Sequence, residues 1–241
     1  MKLNSKRAKF FLGHLLISAF IASLVLLVVF KVWYPTPLAE AVGVTKIFLM
    51  MLVIDVVVGP ILGFIVYKEG KKTLKMDLAT IILIQMLALV YGLYSIEKGR
   101  PAYIAYNIDR FELVRKNEIA SNDSQHNKNF GAYPSYVAVK YPEDTQLRNK
   151  VMFDEVFGGI ALSQRPEYYQ SLDTVQHQVK LKTQELQYLS QFNSATDIEK
   201  ILKEYPNAVG FLPLKANNLD MTVLVDQSYQ VIKIVDLRPW N

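Results

Sequence analysis

The sequence predicts an integral membrane protein: three transmembrane α-helices, then a small α+β domain with an antiparallel C-terminal sheet. Three observations predict it. Apolar runs long enough to span a bilayer are confined to the first hundred residues, charge is scarce between Phe10 and Tyr94, and from Glu97 onward the composition is that of a soluble domain. The 241 residues fit one large domain or two modest ones. The division expected is a membrane region over residues 1–96 and a soluble domain over 97–241.

The three spans cover about residues 10–31, 47–67 and 78–95. About 20 apolar residues cross the hydrocarbon core as a helix. The first run, Phe10 to Phe30, follows Lys2, Lys6, Arg7 and Lys9 and ends in Val32-Trp33-Tyr34-Pro35. Its length, and bulky residues where a small-x-small cleavage site would stand, predict an uncleaved span instead of a signal peptide. The second run is Ile47 to Tyr67 and the third Leu78 to Tyr94. Lys68, Lys71, Lys72 and Lys75 lie between them, whereas Lys31 to Lys46 is poor in charge. Cytoplasmic loops collect Lys and Arg. The N-terminal tail and the second loop are therefore expected in the cytoplasm, and residues 97–241 outside it, in the periplasm of a Gram-negative cell. Trp33, Tyr34, Tyr91 and Tyr94 then fall near the outer interface, where amphipathic rings are favoured.

The net charge of +5 hints at nucleic acid until the chain is split. Residues 1–96 hold ten Lys and Arg against four acids; residues 97–241 hold seventeen against eighteen. The basic excess belongs to the membrane part, so no stripe remains to track a phosphate backbone. With no cysteine there is no disulfide, thiolate metal site or Cys nucleophile.

In the soluble part, residues 102–115 read as extended and 135–140 as a strand, with the polar stretch 117–133 a loop between them. Pro142 is expected to open a helix to about Val156, and Pro166 a long helix over Glu167 to about Phe192. A short helix follows at 196–204, then strands at 209–214, 222–225 and 231–235. Asn217-Asn218 and Asp226-Gln227-Ser228 supply turn chemistry between them.

Asp55 is the most informative residue, a carboxylate in mid-span that costs at least about 2.5–3.5 kcal/mol to insert. Three readings stand. It locks the bundle by hydrogen bonding, with Gln85 the natural partner; it docks a polar group on a partner's helix; or it relays protons. Gly59 and Pro60 follow, with Gly63 beyond, and suit close packing and a kink. Asp55, Gly59 and Pro60 are thus the candidate partner-binding residues. Arg100, Asp109 and Arg110 are candidates for a salt-bridged junction between membrane and domain. His14, His126 and His177 lack metal-ligand spacing. No catalytic triad, nucleophile elbow or phosphate-cradling loop occurs, so no catalytic residue, metal or cofactor is expected.

The stretches Val53 to Tyr67, Lys71 to Asp77 and above all Tyr91 to Val114, with its Gly-Arg-Pro and Asp-Arg-Phe elements, resemble the type IV pilin accessory proteins, including FimB-like members. The resemblance covers roughly residues 30–115. It implies a non-enzymatic role in type IV pilus assembly at the bacterial inner membrane, in promoting or modulating display of a cognate pilin. A pilin waits there as one apolar helix with a periplasmic head, an acidic residue near the helix start and a free amine beside it. Inner-membrane assembly-platform proteins are the other expected partners. A negative regulator acting on that platform is the alternative, and a membrane enzyme or a relay sensor are further ones. The resemblance carries no catalytic residue to this chain.

Overall fold

A computed structural model describes residues 6–120, 131 and 133–240. Lys2, His126 and most of the expected loop at 117–133 lie outside the described residues. The chain divides into a helical unit, residues 1–33 and 44–98, and a sheet unit, residues 34–43 and 99–241.

The first four helices are α1 (Lys6–Val28, continued by a π turn Val29–Trp33), α2 (Leu38–Val42), α3 (Val44–Val66) and α4 (Leu74–Lys98). α1, α3 and α4 are each long and apolar enough to cross a membrane. At 1.5 Å per residue, the 23 residues of α3 reach about 35 Å, against a core about 30 Å thick. Within the helical unit α3 packs against both α1 and α4. Edge-to-face rings join α1 to α3 at Phe11–Phe64 and Phe30–Phe48, with centroids 5.6 and 5.5 Å apart. Arg7 Nε donates to the Phe64 carbonyl in the last turn of α3, and its guanidinium lies 3.9 Å from the Phe64 ring centroid. A cation there complements the negative end of the helix dipole.

The sheet unit holds β1 (Pro101–Asn107), β2 (Arg110–Arg115), β3 (Ser135–Val139), α5 (Thr145–Phe157), β4 (Tyr169–Gln170), α6 (Gln176–Lys182), α7 (Ala195–Glu204), β5 (Gly210–Lys215), β6 (Met221–Val225) and β7 (Val231–Val235). One seven-stranded sheet runs β4-β3-β1-β2-β5-β6-β7 and curls into a half-barrel. The C-terminal strands β5, β6 and β7 are antiparallel to one another, as expected. The sheet as a whole is mixed: β1 pairs with β3 and β2 with β5 in parallel. The stretch 102–115 is a hairpin, not one extended segment, with Asn107 opposite Arg110.

Alternation along the strands builds two cores. Ile104, Tyr106, Leu212, Leu214, Val223 and Val225 point to one face and gather Val175 and Val179. Their neighbours Ala105, Phe211 and Leu224 point to the other face, against Val151 and Leu162 or Leu189 and Leu237. The first core also takes Leu38 and Ala41 from the loop after α1, 3% and 0% exposed. That loop is held by Asn218, whose backbone N–H donates to the Ala41 carbonyl (2.9 Å) and whose amide donates to the Glu40 carbonyl (3.1 Å). Gly43 ends α2 at φ +82°, a left-handed turn that suits glycine.

Two helix expectations need correction. Pro142 does not open α5; Asp144 caps it, its carboxylate accepting from Leu147 N–H at 2.8 Å. The long helix over 167–192 does not form. The sheet claims its backbone twice: Tyr169 and Gln170 pair with Val139 and Ala138 as β4, and Gln184 bridges Phe211. Between these points only α6 and short 3-10 turns remain. Long-range pairing has overridden local helix propensity.

A 3-10 turn after β2 carries a pH-sensitive pair. Burial alone would raise the Glu118 carboxyl, but the Arg115 guanidinium (2.7 Å), the Arg115 backbone N–H (2.9 Å) and the Asn217 amide (2.9 Å) outweigh it and hold Glu118 below the usual carboxylate range. A depressed carboxyl stabilises the fold above its unfolded pKa and loses that contribution as pH falls through the folded value. Thermal unfolding followed from pH 7 downward should show a stability loss below the unfolded carboxylate range that is smaller in Glu118→Gln.

Candidate functional site

The helical unit holds a partly open cavity of about 330 Å³ lined by all three long helices, with Ile17, Ile21, Leu52, Ile82 and Leu89 among its apolar walls. Lys9 brings a cation to the lining, and the other polar residues there are His14, Ser18, Asp55 and Gln85. Gln85 of α4 organises them. Its amide nitrogen donates to the backbone carbonyl of Asp55 on α3 (2.5 Å) and to Ser18 Oγ on α1 (3.4 Å). Its Oε1 lies 3.1 Å from His14 Nε2. With both amide hydrogens directed elsewhere, Oε1 accepts from His14 Nε2–H, which leaves Nδ1 a bare acceptor.

Gln85 therefore does lock the bundle to α3 at Asp55, but through the main chain and not the carboxylate. Asp55 Oδ2 and His14 Nδ1 are buried, and among the described residues neither has a hydrogen-bond partner. Pro60 sits inside an unbroken α3 and has no N–H to give the Val56 carbonyl four residues earlier; Val56 also lines the cavity. Asp55 Oδ2 and His14 Nδ1 are thus buried acceptors that no described residue serves, with Lys9 also in the lining. Sequence reasoning singled out Asp55, Gly59 and Pro60 but not His14 or Ser18. The missed signal was spacing: positions 14 and 18 share one face of a helix.

Gly59 is where α3 and α4 approach. A Cβ there would stand 1.9 Å from Gln85 Oε1. Gly59→Ala should evict the Gln85 amide and cost about 1–3 kcal/mol, the penalty for buried polar groups left unpaired. In detergent-solubilised protein, thermal unfolding should show Gln85→Ala costing less on the Gly59→Ala background than on the wild type, because the two residues share one network.

Arg100, Asp109 and Arg110 do not come together. Arg100 precedes β1, whereas Asp109 and Arg110 occupy the turn at the other end of that strand. Arg100 is buried and its Nη1 donates to the Gly131 carbonyl at 2.9 Å. Arg110 Nε donates to Asp109 Oδ1 at 2.7 Å, and the guanidinium lies 5.4 Å from the Trp240 ring centroid. The Asp109 carboxylate holds the Arg110 guanidinium above its ordinary pKa, against the opposing effect of burial. The pair thus serves the C-terminal tail, whose Trp240 Nε1 donates to Asp220 at 2.6 Å. His177 is exposed on α6. Gly158 and Gly159 end α5, the latter at φ +67°. Among the described residues no group of three or more His, Cys, Asp or Glu could hold a metal ion.

Fold and cavity together define a protein with three helices long and apolar enough to cross a membrane, a sheet domain, and a cavity among those helices that holds unpartnered polar atoms. The family described as Fimbrial assembly protein FimB matches residues 3–43. Three similar proteins come from Dichelobacter nodosus. Fimbrial assembly protein, serogroup I, is 28% identical over 239 residues, covering 93% of this chain and 92% of the relative. Fimbrial assembly protein, serogroup E1, is 27% identical with the same coverage. Fimbrial assembly protein, serogroups C1 and C2, is 35% identical over 108 residues, 44% of this chain and 82% of the relative. No solved structure matches. The chain belongs to the FimB family of fimbrial assembly proteins. Its role is in fimbrial assembly.

Proposed function

We propose that this protein is a non-enzymatic accessory factor of type IV pilus assembly that holds its cognate pilin in the bacterial inner membrane and promotes its display. In this reading α1, α3 and α4 span that membrane, the N-terminal tail is cytoplasmic, and residues 97–241 are periplasmic. The observation that carries it is the cavity among the long helices, largely apolar in its walls, with Asp55 Oδ2 buried in it and unpartnered among the described residues. An unpartnered carboxylate oxygen in an apolar setting complements a donor, and a pilin helix brings one as its free amine. Asp55 pairs with that amine, while Gly59 and Pro60 shape the surface beside it. The periplasmic domain contacts the pilin head.

In-cell photo-crosslinking from positions 17 and 82, with the pilin present, tests this. Crosslinks to pilin that weaken in Asp55→Leu support the holding role and the part given to Asp55. Pilin crosslinks unchanged in Asp55→Leu remove Asp55 from the site. Crosslinks to platform proteins with none to pilin replace the reading with a negative regulator of the assembly platform.

A further inference from the structure

The sheet unit carries one helix mounted with its charged side inward. On α5, Asp154 accepts from Arg165 Nη2 at 3.0 Å, Glu155 accepts from Tyr141 Oη at 2.6 Å, and the Arg148 guanidinium lies 5.8 Å from the Tyr141 ring centroid. Val151 alone is buried on this helix. The opposite side shows Met152, Phe153, Val156 and Phe157 at 46, 62, 74 and 73% exposure. Phe153 and Phe157 stack on each other, centroids 4.4 Å apart, without covering either ring. At 100° per residue these four positions form one face, and Arg148 and Lys150 flank it. An exposed aromatic face of this kind marks an interaction site.

Contacts inside the sheet unit say where this face lies. β1 begins at Pro101, three residues after the end of α4, opposite Arg115 at the end of β2. At the same end of the sheet, Lys116 N–H donates to the Arg100 carbonyl, the Asn217 amide reaches Glu118, and the neighbouring Asn218 binds Ala41, two residues before the chain passes to α3. Ala120 N–H donates to the Gln164 carbonyl, and Arg165 next to it binds Asp154 in the last turns of α5. The Phe157 end of α5 is thus on the end of the sheet through which the chain arrives from α4 and leaves for α3.

We infer that the Met152–Phe157 face of α5 lies in the interfacial layer of the lipid bilayer. A short helix with an aromatic face and a flanking lysine gains by burying that face among acyl chains near anionic headgroups. The chain's own apolar helices keep a bilayer within reach, since at most two residues separate each of them from the sheet unit. This assignment rests on the proposed membrane spans of α1, α3 and α4 and not on the pilin.

Because the native chain has no cysteine, a single nitroxide label can be placed at will. Full-length Val156→Cys and, as a water-exposed control on α7, Lys200→Cys are labelled and reconstituted in nanodiscs of phosphatidylethanolamine and phosphatidylglycerol. The label at 156 should relax more with oxygen than with a water-soluble nickel chelate, and the label at 200 should show the reverse order; Phe157→Cys repeats the test. A label at 156 that ranks the two reagents as position 200 does overturns the inference. So does a label shielded from both reagents, which places a protein on the face; spin–spin broadening would then identify a second copy of this chain.

Discussion

Leu38→Ala should lower the stability of the sheet unit by about 2–5 kcal/mol, the range for removing a buried leucine side chain beyond Cβ. The residue sits in a ten-residue connection between two long helices, where a substitution would ordinarily be close to neutral. Here it is 3% exposed and packs into the same core as Met221, Val223 and Ile234. Hydrogen exchange on the full-length protein in detergent should show faster exchange across β5, β6 and β7, with α4 protected as before. Leu38→Met, which keeps the volume, should cost under about 1.5 kcal/mol. Equal protection of β6 in Leu38→Ala and the wild type would mean the loop only rests on the domain.

Gly210→Ala should be comparably severe. A Cβ at position 210 would stand 2.4 Å from Thr183 Cγ2 and 2.7 Å from the Gln184 carbonyl oxygen. The second neighbour is backbone and cannot rotate away. Relief requires the Gln184 bridge to open, which loses the bonds Gln184 N–H to Phe211 O (2.8 Å) and Phe211 N–H to Gln184 O (2.9 Å). Overpacking costs about 1–3 kcal/mol, and each hydrogen bond adds about 0.5–1.5 kcal/mol. The expected loss is therefore about 2–6 kcal/mol, with exchange at Gln184 and Phe211 rising first. A thermal unfolding midpoint unchanged from wild type would show that α6 and its tail can swing outward freely.

Much of this architecture is written in local pattern. β7 occupies the run expected for it, β5 is shifted by one residue, and β6 begins one residue early. Period-2 alternation sets those strands, and a continuous apolar run sets each long helix. What stayed illegible depends on partners far away in the chain. Residues 167–192 carry helix-compatible composition, and nothing local announces that Gln184 will pair with Phe211. The loop after α1 reads as a connector, because Leu38 and Ala41 become core only when the strands beyond position 210 exist. In the site, Asp55 stood out by its charge. The element that gathers the helices is neutral Gln85, and its link to His14 and Ser18 needs the packing of three helices to be visible. The family match at residues 3–43 ends on Gly43, which closes that loop, and so rests largely on residues outside the motifs that first suggested the family.

The docked loop also sets a schedule for biosynthesis. Glu40 and Asn218, which bind each other, are 178 positions apart. At about 5–20 residues per second, the ribosome delivers the second roughly ten to forty seconds after the first. Throughout that interval Leu38 and Ala41 lack the core partners Met221, Val223 and Ile234 that β6 and β7 bring. The first-made piece of the domain is thus sealed by the last-made strands. A chain that stops short of β6 and β7 leaves this apolar seam open, a feature by which proteases and chaperones can recognise an unfinished molecule.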